Sequence, residues 1–236
     1  MNCIVTAGPT FEPLDEVRRL TNFSTGKLGT ELANFLVAHG HKVVLLISEA
    51  ATYKGQCHAQ SVKTFSTTKD LSAQLKSFSG KKVDAIFHAA AVSDFAFGKV
   101  FAKKNFGEFV TLENSKKISS RAGALIAELL PTPKIISELR GWFPKSKIVG
   151  WKFEAEGARA DAIGAAGKQI ADCATDFCVA NGPAYGKGFN LVSANGKKHL
   201  ATAEKLFVAL EKIIPQNFKL QNFSNGAGRV SSAPSR

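Results

Sequence analysis

Residues 42–47 read KVVLLI, a short and unbroken run of apolar side chains after one lysine. Such a run is typical of a strand buried on both faces, as the strands of a parallel sheet are. Residues 2–7 (NCIVTA) and 83–91 (VDAIFHAAA) have the same character and predict two further strands. In a chain of 236 residues, these three runs indicate the core of one α/β domain.

Segments with helical spacing lie between these strands. A first helix is predicted between Gly26 and Gly40, where apolar side chains recur on one helical face, at Leu28, Leu32, Phe35 and Leu36. Weak periodicity over residues 70–78 predicts a second helix. The resulting βαβαβ alternation predicts a doubly wound, mainly parallel, Rossmann-like sheet with right-handed crossovers.

The second half of the chain continues this alternation. Its pattern predicts helices over 135–142, 158–171 and 203–214, strands over 147–153 and 176–180, and a small β-hairpin over 189–200 that turns at Asn195-Gly196. Residues 94–117 are rich in Phe, Lys and Gly with poor periodicity, so we predict an extended loop or a projecting flap there. We expect one domain over residues 1–214 and a disordered tail over 215–236.

Composition narrows the class of protein. The formal net charge of +12 fits acidic partners such as nucleotide phosphates, nucleic acid or a membrane surface. No apolar run is long enough to span a bilayer and no secretory signal is evident, so we expect a cytoplasmic protein without a membrane partner. The four cysteines and five histidines lack the spacing of a disulfide framework or a zinc site.

The loop that follows the first strand could hold an anion. Ser24, Thr25, Gly26 and Lys27 stand just ahead of the first helix, where backbone N–H groups and the positive end of the helix dipole can face a phosphate. The pattern is neither the dinucleotide fingerprint G-x-G-x-x-G nor the P-loop motif. From local chemistry alone, the alternative that Ser24 or Thr25 only caps the helix stays equally open.

Several blocks, in order, resemble phosphopantothenate–cysteine ligases. The first is GPTFEPLDEVRRLTNFSTGKLG at residues 8–29, and the later ones are HAAAVSDF, KISS, LPTPKII, GWKFEAE and VANGP. Together they cover most of the chain from Ile4 to about Phe189. The first block, followed in order by AAVSDF and KISS, is specific to the family.

The resemblance implies a two-step reaction. A nucleoside triphosphate activates the carboxylate of phosphopantothenate as an acyl-nucleotide with loss of pyrophosphate, and the amine of cysteine then displaces the nucleotide. By resemblance, Asn22 engages the acyl intermediate and Lys117, in the flap, meets the triphosphate. Mg²⁺ is expected to accompany the triphosphate. From the residues alone, an ordinary solvated lysine beside Lys116 is the favoured interpretation of Lys117, because most lysines are exposed.

The resemblance also implies nucleotide contacts. They fall on Ala89, Ala90, Ala91 and Asp94 after the third strand, on Thr132, Pro133, Lys134 and Ile135, and on Trp151 and Lys168. Local sequence alone leaves Asp94 open as a turn or helix cap and Trp151 open as a core aromatic. The chain departs from the family where Asp172 stands in place of a second lysine, and where KISS replaces the K-x-K-K of many bacterial members.

Other expectations follow from the resemblance. Family members use CTP or ATP; a bacterial chain would use CTP, whereas AAVSDF also resembles the ATP-using eukaryotic form. They are usually homodimers whose flaps complete each other's sites. Many bacterial relatives are fused to a flavin-dependent decarboxylase, and here we expect a stand-alone ligase whose decarboxylase is another chain.

Two other classes of function compete with the ligase. An NAD(P)-dependent oxidoreductase is the commonest occupant of such a sheet, but it needs a glycine fingerprint that is missing here. A non-catalytic module that binds nucleotides or nucleic acid would use the +12 charge, yet the basic residues are scattered in pairs and form no long cationic block. We therefore expect small-molecule substrates and no nucleic acid.

Overall fold

The computed structural model describes residues 1–103, 108–112, 117–119, 121 and 123–215. Its centre is an eight-stranded sheet in the order β13-β12-β11-β10-β6-β1-β4-β5. The strands are β1 (Asn2–Ala7), β4 (Lys42–Ser48), β5 (Ser61–Phe65), β6 (Ala85–His88), β10 (Lys147–Phe153), β11 (Phe177–Asn181), β12 (Phe189–Ser193) and β13 (Gly196–Leu200). The first six of these are parallel, and the β12–β13 hairpin adds an antiparallel edge.

Counted along the chain, the six parallel strands lie in the spatial order 3-2-1-4-5-6. This is the order of the Rossmann fold, and its switch point falls between β1 and β6. The prediction of a doubly wound, mainly parallel sheet with a small hairpin is therefore confirmed.

Helices cover both faces of the sheet. They are α1 (Lys27–Ala38), α2 (Thr68–Lys76), α3 (Ile135–Trp142), α4 (Arg159–Cys173) and α5 (Ala203–Glu211). Side chains of β4 alternate between the two faces: Val43 and Leu45 pack with α1 and α5, whereas Leu46 packs with α2 and α3. This alternation explains why the run KVVLLI is apolar throughout. None of the helices that the structure describes could cross a membrane.

The connection between β1 and α1 differs from the polar loop that the sequence predicted. It contains an antiparallel hairpin of β2 (Phe11–Pro13) and β3 (Arg19–Thr21). The backbone N–H of Phe11 donates to the carbonyl of Ser66, and the carboxylate of Glu12 accepts the N–H of Thr68 at 2.9 Å. The hairpin thus lies against the start of α2, a contact that local sequence does not encode.

The region predicted as an extended loop or a projecting flap contains strands that the sequence did not reveal. Residues 94–117 include β7 (Phe95–Lys103) and β8 (Phe109–Thr111). Together with β9 (Leu125–Pro131), these strands form a separate three-stranded antiparallel sheet in the order β8-β7-β9. Edge strand β5, which is largely exposed, was likewise absent from the sequence prediction. Residues 216–236, predicted to be a disordered tail, lie outside the described residues.

Gly29 sets how closely α1 approaches the sheet. A Cβ atom built at Gly29 would lie 2.7 Å from Cβ of Ala7 and 2.9 Å from the carbonyl oxygen of Thr6. Both are atoms of the buried strand β1 and cannot swing away. A side chain at this position would push the first turn of α1 away from the site described below.

We therefore expect Gly29→Ala to destabilise the protein by about 1–3 kcal/mol, the usual effect of overpacking a core. The matched control is Gly164→Ala in α4, where an added Cβ meets nothing within 4 Å. This control should stabilise the protein by up to about 1 kcal/mol, because alanine favours a helix over glycine. Urea unfolding monitored by circular dichroism measures both changes, and equal effects of the two substitutions would contradict the packing argument.

Candidate functional site at the switch point

The loops that follow β1 and β6 are joined beyond the ends of their strands. The N–H of Ala91 donates to the carbonyl of Gly8 at 3.0 Å, and the N–H of Thr10 donates to the carbonyl of Ala91 at 3.0 Å. In doubly wound sheets, ligands bind in the crevice at this edge, where the strand order reverses. The predicted positions Ala89, Ala90 and Ala91 line this edge and are partly buried.

Asn22 bridges the same two loops. It directly follows β3, and its side-chain N–H group lies 3.3 Å from the carbonyl oxygens of both Ala91 and Val92. Its side chain is exposed to solvent. The β2–β3 hairpin therefore brings Asn22 back over the strand end, although 69 residues separate it from Ala91.

Asp94 and Thr132 lie beside this bridge. The N–H of Thr132 donates to the carbonyl of Asp94 at 2.9 Å, and the Thr132 hydroxyl donates to the carbonyl of Ser93. The N–H of Ser93 in turn donates to the hydroxyl of Thr10 at 2.8 Å. The structure thus brings Asn22, Asp94 and Thr132 together around one strand end, with the Asp94 carboxylate exposed.

The N-terminus of α1 is open at this edge. Its N-cap is Gly26, at a φ of 80°, and no side chain caps the helix there. The hydroxyl of Thr25 accepts the N–H of Lys27 at 3.3 Å. The alternative that Ser24 or Thr25 only caps the helix therefore holds for the N–H of Lys27 alone. The Lys27 ammonium lies 3.7 Å from the Glu31 carboxylate in an exposed pair. Ser24 is partly buried, and Thr25 is exposed.

Other predicted positions lie farther from the bridge. Pro133 and Lys134 are exposed ahead of α3, whereas the side chain of Ile135 is 2% exposed and packs in the core, so only its backbone could meet a ligand. Lys168 is exposed on α4. It stands nine residues after Arg159, or about 14 Å along the helix axis from the end of α4 that follows β10.

Trp151 is half-buried against the core between α1, α5 and the sheet. Its Nε1–H is buried without an acceptor among the described residues. The amide oxygen of Asn181, at the end of neighbouring β11, is also buried and has no donor in that part of the chain. The register pairs Trp151 with Val179, so Asn181 projects from the same face of the sheet. Sequence reasoning missed Asn181, although it stands within the block VANGP.

Lys117 is exposed at the end of the predicted flap, and its neighbour Ile118 is buried. The segment that includes residues 117–119 is called the flap from here on. The backbone of Ile118 is hydrogen-bonded to Asp15 and Arg18 in the turn between β2 and β3. The flap therefore contacts the same hairpin that carries Asn22. Lys116 and Ser120 lie outside the described residues, and Ser119 is exposed.

A buried pair below the strand end was also missed. The hydroxyl of Thr6 accepts the N–H of Ala90 at 3.0 Å and lies 3.0 Å from Nδ1 of His88, to which it can donate its own hydrogen. Burial lowers the pKa of His88 from 6.5 to about 4, so the ring is neutral at physiological pH. Thr6 and His88 support the Ala89–Ala91 turn from within the core.

The geometry defines a class: a Rossmann-like α/β protein whose crevice lies at the switch point and is crossed by an inserted hairpin. Comparison with known proteins gives the family. Residues 1–213 match the model of the DNA/pantothenate metabolism flavoprotein C-terminal domain, and the chain belongs to that family.

Named relatives agree with this assignment. The chain is 32% identical over 225 residues to the coenzyme A biosynthesis bifunctional protein CoaBC of Thermococcus kodakarensis, covering 89% of this chain and 51% of that protein. It is 29% identical over 217 residues to the CoaBC of Bacillus subtilis, covering 88% and 49% of the two chains. The chain thus spans about half the length of these curated relatives.

A solved structure is also similar. The DNA/pantothenate metabolism flavoprotein from Streptococcus pneumoniae superposes with a TM-score of 0.77 at 28% identity, covering 90% of this chain and 98% of that one. The resemblance inferred from the motifs is therefore confirmed at the level of family and fold.

The buried His88 predicts a pH dependence of stability. Between about pH 6.5 and 4, the unfolded chain binds a proton at His88 and the folded chain does not, so stability falls as the pH falls through this window. The loss should reach about 3 kcal/mol near pH 4. His88→Asn keeps an acceptor for Thr6 and does not titrate, so urea unfolding of this variant should lack that component. An identical pH profile for the two proteins would contradict a neutral buried His88.

Proposed function

We propose that this chain is a nucleotide-dependent ligase that joins 4′-phosphopantothenate to L-cysteine in coenzyme A biosynthesis. The observation that carries the proposal is the bridge from Asn22 to the carbonyls of Ala91 and Val92. It places the residue that resembles the family asparagine at the switch point, where the fold binds ligands. The family assignment and the names of the relatives support the same reaction.

The chemistry has two steps. The carboxylate of phosphopantothenate attacks the α-phosphate of the nucleotide, which forms an acyl-nucleotide and releases pyrophosphate. The amine of cysteine then attacks the acyl carbon and releases the nucleoside monophosphate. The first step brings negative charges together, so it needs cations and pre-arranged N–H donors. Asn22, as the holder of the acyl intermediate, Lys117 and the open N-terminus of α1 would supply these groups.

The nucleotide would lie between the strand ends. We assign its contacts to the Ala89–Ala91 turn, Asp94, the Thr132–Ile135 segment, Trp151 and Lys168, with phosphate at Ser24–Lys27. The unpartnered Nε1–H of Trp151 supports a polar ligand near that ring. Whether the nucleotide is CTP or ATP is decided by the experiment below.

Mg²⁺ would enter with the triphosphate. Among the described residues, no three His, Cys, Asp or Glu side chains form a group that could hold a metal ion. Magnesium usually keeps several waters and binds through substrate phosphates, so it would be bound mainly by the nucleotide. The exposed carboxylate of Asp94 could supply one contact from the protein. The ion would neutralise phosphate charge.

We also propose a cytoplasmic location, since the four cysteines are free thiols.

A matrix of substrates tests the reaction. Purified protein with Mg²⁺ and either CTP or ATP should release pyrophosphate only when phosphopantothenate is present, and addition of cysteine should yield phosphopantothenoylcysteine. The nucleotide that supports release is the co-substrate. No release with either nucleotide would remove the proposed function, and tight NADPH binding without triphosphate binding would favour an oxidoreductase.

Asn22→Asp provides the control within this reaction. The substitution keeps the size of the side chain but replaces the N–H group that faces Ala91 and Val92 with an oxygen. We expect nucleotide binding, measured by calorimetry, to persist while transfer to cysteine falls. Unaltered turnover would remove Asn22 from the site.

We further propose that the protein is a homodimer. The three-stranded sheet presents large apolar side chains that stay exposed in the described part of the chain, namely Phe95, Phe109, Val110, Ile126, Leu129 and Leu130. The register puts Phe109, Ile126 and Leu130 on one face of this sheet. Exposed apolar side chains grouped on one face mark an interaction site. The N–H of Thr132, directly after β9, donates to the carbonyl of Asp94, directly before β7, so this end of the sheet adjoins the candidate site. A second copy packed on the sheet would therefore also border the site.

Sedimentation of matched variants tests the dimer. Wild-type protein should sediment at about twice its 25.2 kDa mass. Ile126→Glu should shift it towards the monomer, because the charge would be buried in the interface. Val62→Glu, on edge strand β5, is the control, since Val62 is 48% exposed and Ile126 is 51% exposed. A dimer that tolerates Ile126→Glu, or a wild-type monomer, would contradict this interface.

A further inference from the structure

The turn between β2 and β3 is built around the carboxylate of Asp15. Its Oδ1 accepts the backbone N–H groups of Val17 at 2.9 Å and of Arg18 at 2.7 Å. Its Oδ2 accepts Nε–H of Arg18 at 3.1 Å and a second hydrogen bond from the same guanidinium group. The Asp15 side chain is 0% exposed, so the carboxylate is held in one position.

The same carboxylate reaches across to the flap. Oδ2 of Asp15 also accepts the backbone N–H of Ile118 at 3.1 Å, over a separation of 103 residues. The guanidinium group of Arg18 donates to the carbonyl of Ile118 at 2.8 Å. One ion pair therefore binds both backbone groups of a single flap residue, and the side chain of Ile118 is 5% exposed beneath it.

The two oxygens of the Asp15 carboxylate have different hydrogen-bond partners. Oδ1 serves only the hairpin turn, whereas Oδ2 serves Arg18 and the flap. The pKa of Asp15 lies well below its ordinary value, first because Arg18 donates to the carboxylate and second because the Ile118 N–H does. A depressed pKa means that these contacts are intact above the ordinary pKa of an aspartate and weaken as the pH falls below it.

The hairpin also sets a distance. Arg18 and Asn22 are four residues apart along β3, which at about 3.3 Å per residue places them about 13 Å apart. The hairpin therefore fixes the position of the held flap residue relative to Asn22, which contacts the strand end. Lys117 directly precedes the residue that is held.

We propose that Asp15 is a positioning residue, which fixes the flap through Ile118 and thereby sets where Lys117 stands over the crevice. The inference rests on the proposed function for the role of Lys117 at the triphosphate. Asp15 itself touches no substrate and acts through the backbone of Ile118. A purely structural role, confined to the hairpin turn, is the alternative that the experiment must separate.

Asp15→Asn separates the two roles. An asparagine can keep its oxygen on the Oδ1 side, where the N–H groups of Val17 and Arg18 donate, so the turn persists. Its NH₂ group would then face the guanidinium group of Arg18 and the N–H of Ile118. All three groups are hydrogen-bond donors, so the contacts that Oδ2 makes would be lost. The matched control is Asp84→Asn, whose carboxylate accepts the N–H of Asn2 at 2.7 Å at the opposite edge of the sheet.

Two measurements are made on the full chain. Hydrogen exchange should show peptides that cover Ile118 opening about tenfold to a hundredfold more in Asp15→Asn, the effect of losing hydrogen bonds to a charged group, with β2 and β3 unchanged. In the pyrophosphate assay, kcat should fall at least about tenfold while kcat/KM for cysteine stays constant, because a slower activation step lowers kcat and KM for cysteine together. Asp84→Asn should change neither quantity.

Unchanged exchange at Ile118 in Asp15→Asn would overturn the proposal, as would faster exchange with an unchanged kcat. If the β2 and β3 amides open together with Ile118, the role is structural and the proposal fails. If Asp15→Asn does not fold, Arg18→Lys is used in its place. Lysine keeps the positive charge but lacks the several N–H groups of the guanidinium with which Arg18 donates to both Asp15 and Ile118. If the wild-type protein releases no pyrophosphate, only the ligase function is refuted. Hydrogen exchange at Ile118 still measures whether Asp15 holds the flap, because it does not depend on the reaction.

Discussion

The structure depends on backbone pairing that continues past the ends of β1 and β6. Ala91 exchanges hydrogen bonds with Gly8 and Thr10, so the two loops leave the sheet together at the switch point. Gly8 makes this possible: its φ is 84°, and a Cβ there would lie 2.8 Å from Cβ of Ser48. The Asn22 amide and the Thr132 hydroxyl are then both oriented against carbonyls of this joined edge.

The inserted hairpin distinguishes this Rossmann-like sheet from the arrangement that binds a dinucleotide. A dinucleotide site needs a short glycine-rich turn, so that pyrophosphate can reach the helix N-terminus directly. Here residues 8–26 fold into β2 and β3 before α1 begins. The base of the hairpin carries Asn22 to the strand end, and its tip, with Asp15 and Arg18, contacts the flap. One small element thus contacts both the crevice and the flap.

Positive charge for the proposed nucleotide would come from two sources with different reach. The open N-terminus of α1 offers fixed N–H groups and a dipole, which act only within about the first turn. The lysines at 117 and 134 are exposed and can move towards a phosphate. A triphosphate that loses pyrophosphate would need both kinds of group. Fixed N–H donors orient the reacting α-phosphate, and mobile ammonium groups stabilise the negative charge on the departing pyrophosphate.

Sequence by itself determined the doubly wound sheet apart from its edge strand β5, because buried parallel strands require unbroken apolar runs such as KVVLLI and helices require a repeat of 3.6 residues. Its ordered blocks also determined the family. Sequence could not find β2, β3, β5 or β7, which are short or exposed and are stabilised by contacts with distant segments. Nor could it reveal that Asp15 binds Ile118, or that Thr6 pairs with His88, since each pair is more than 80 residues apart. Local periodicity reports which face of an element is buried, whereas the partner of a single polar side chain is decided only when the folded chain brings the two together.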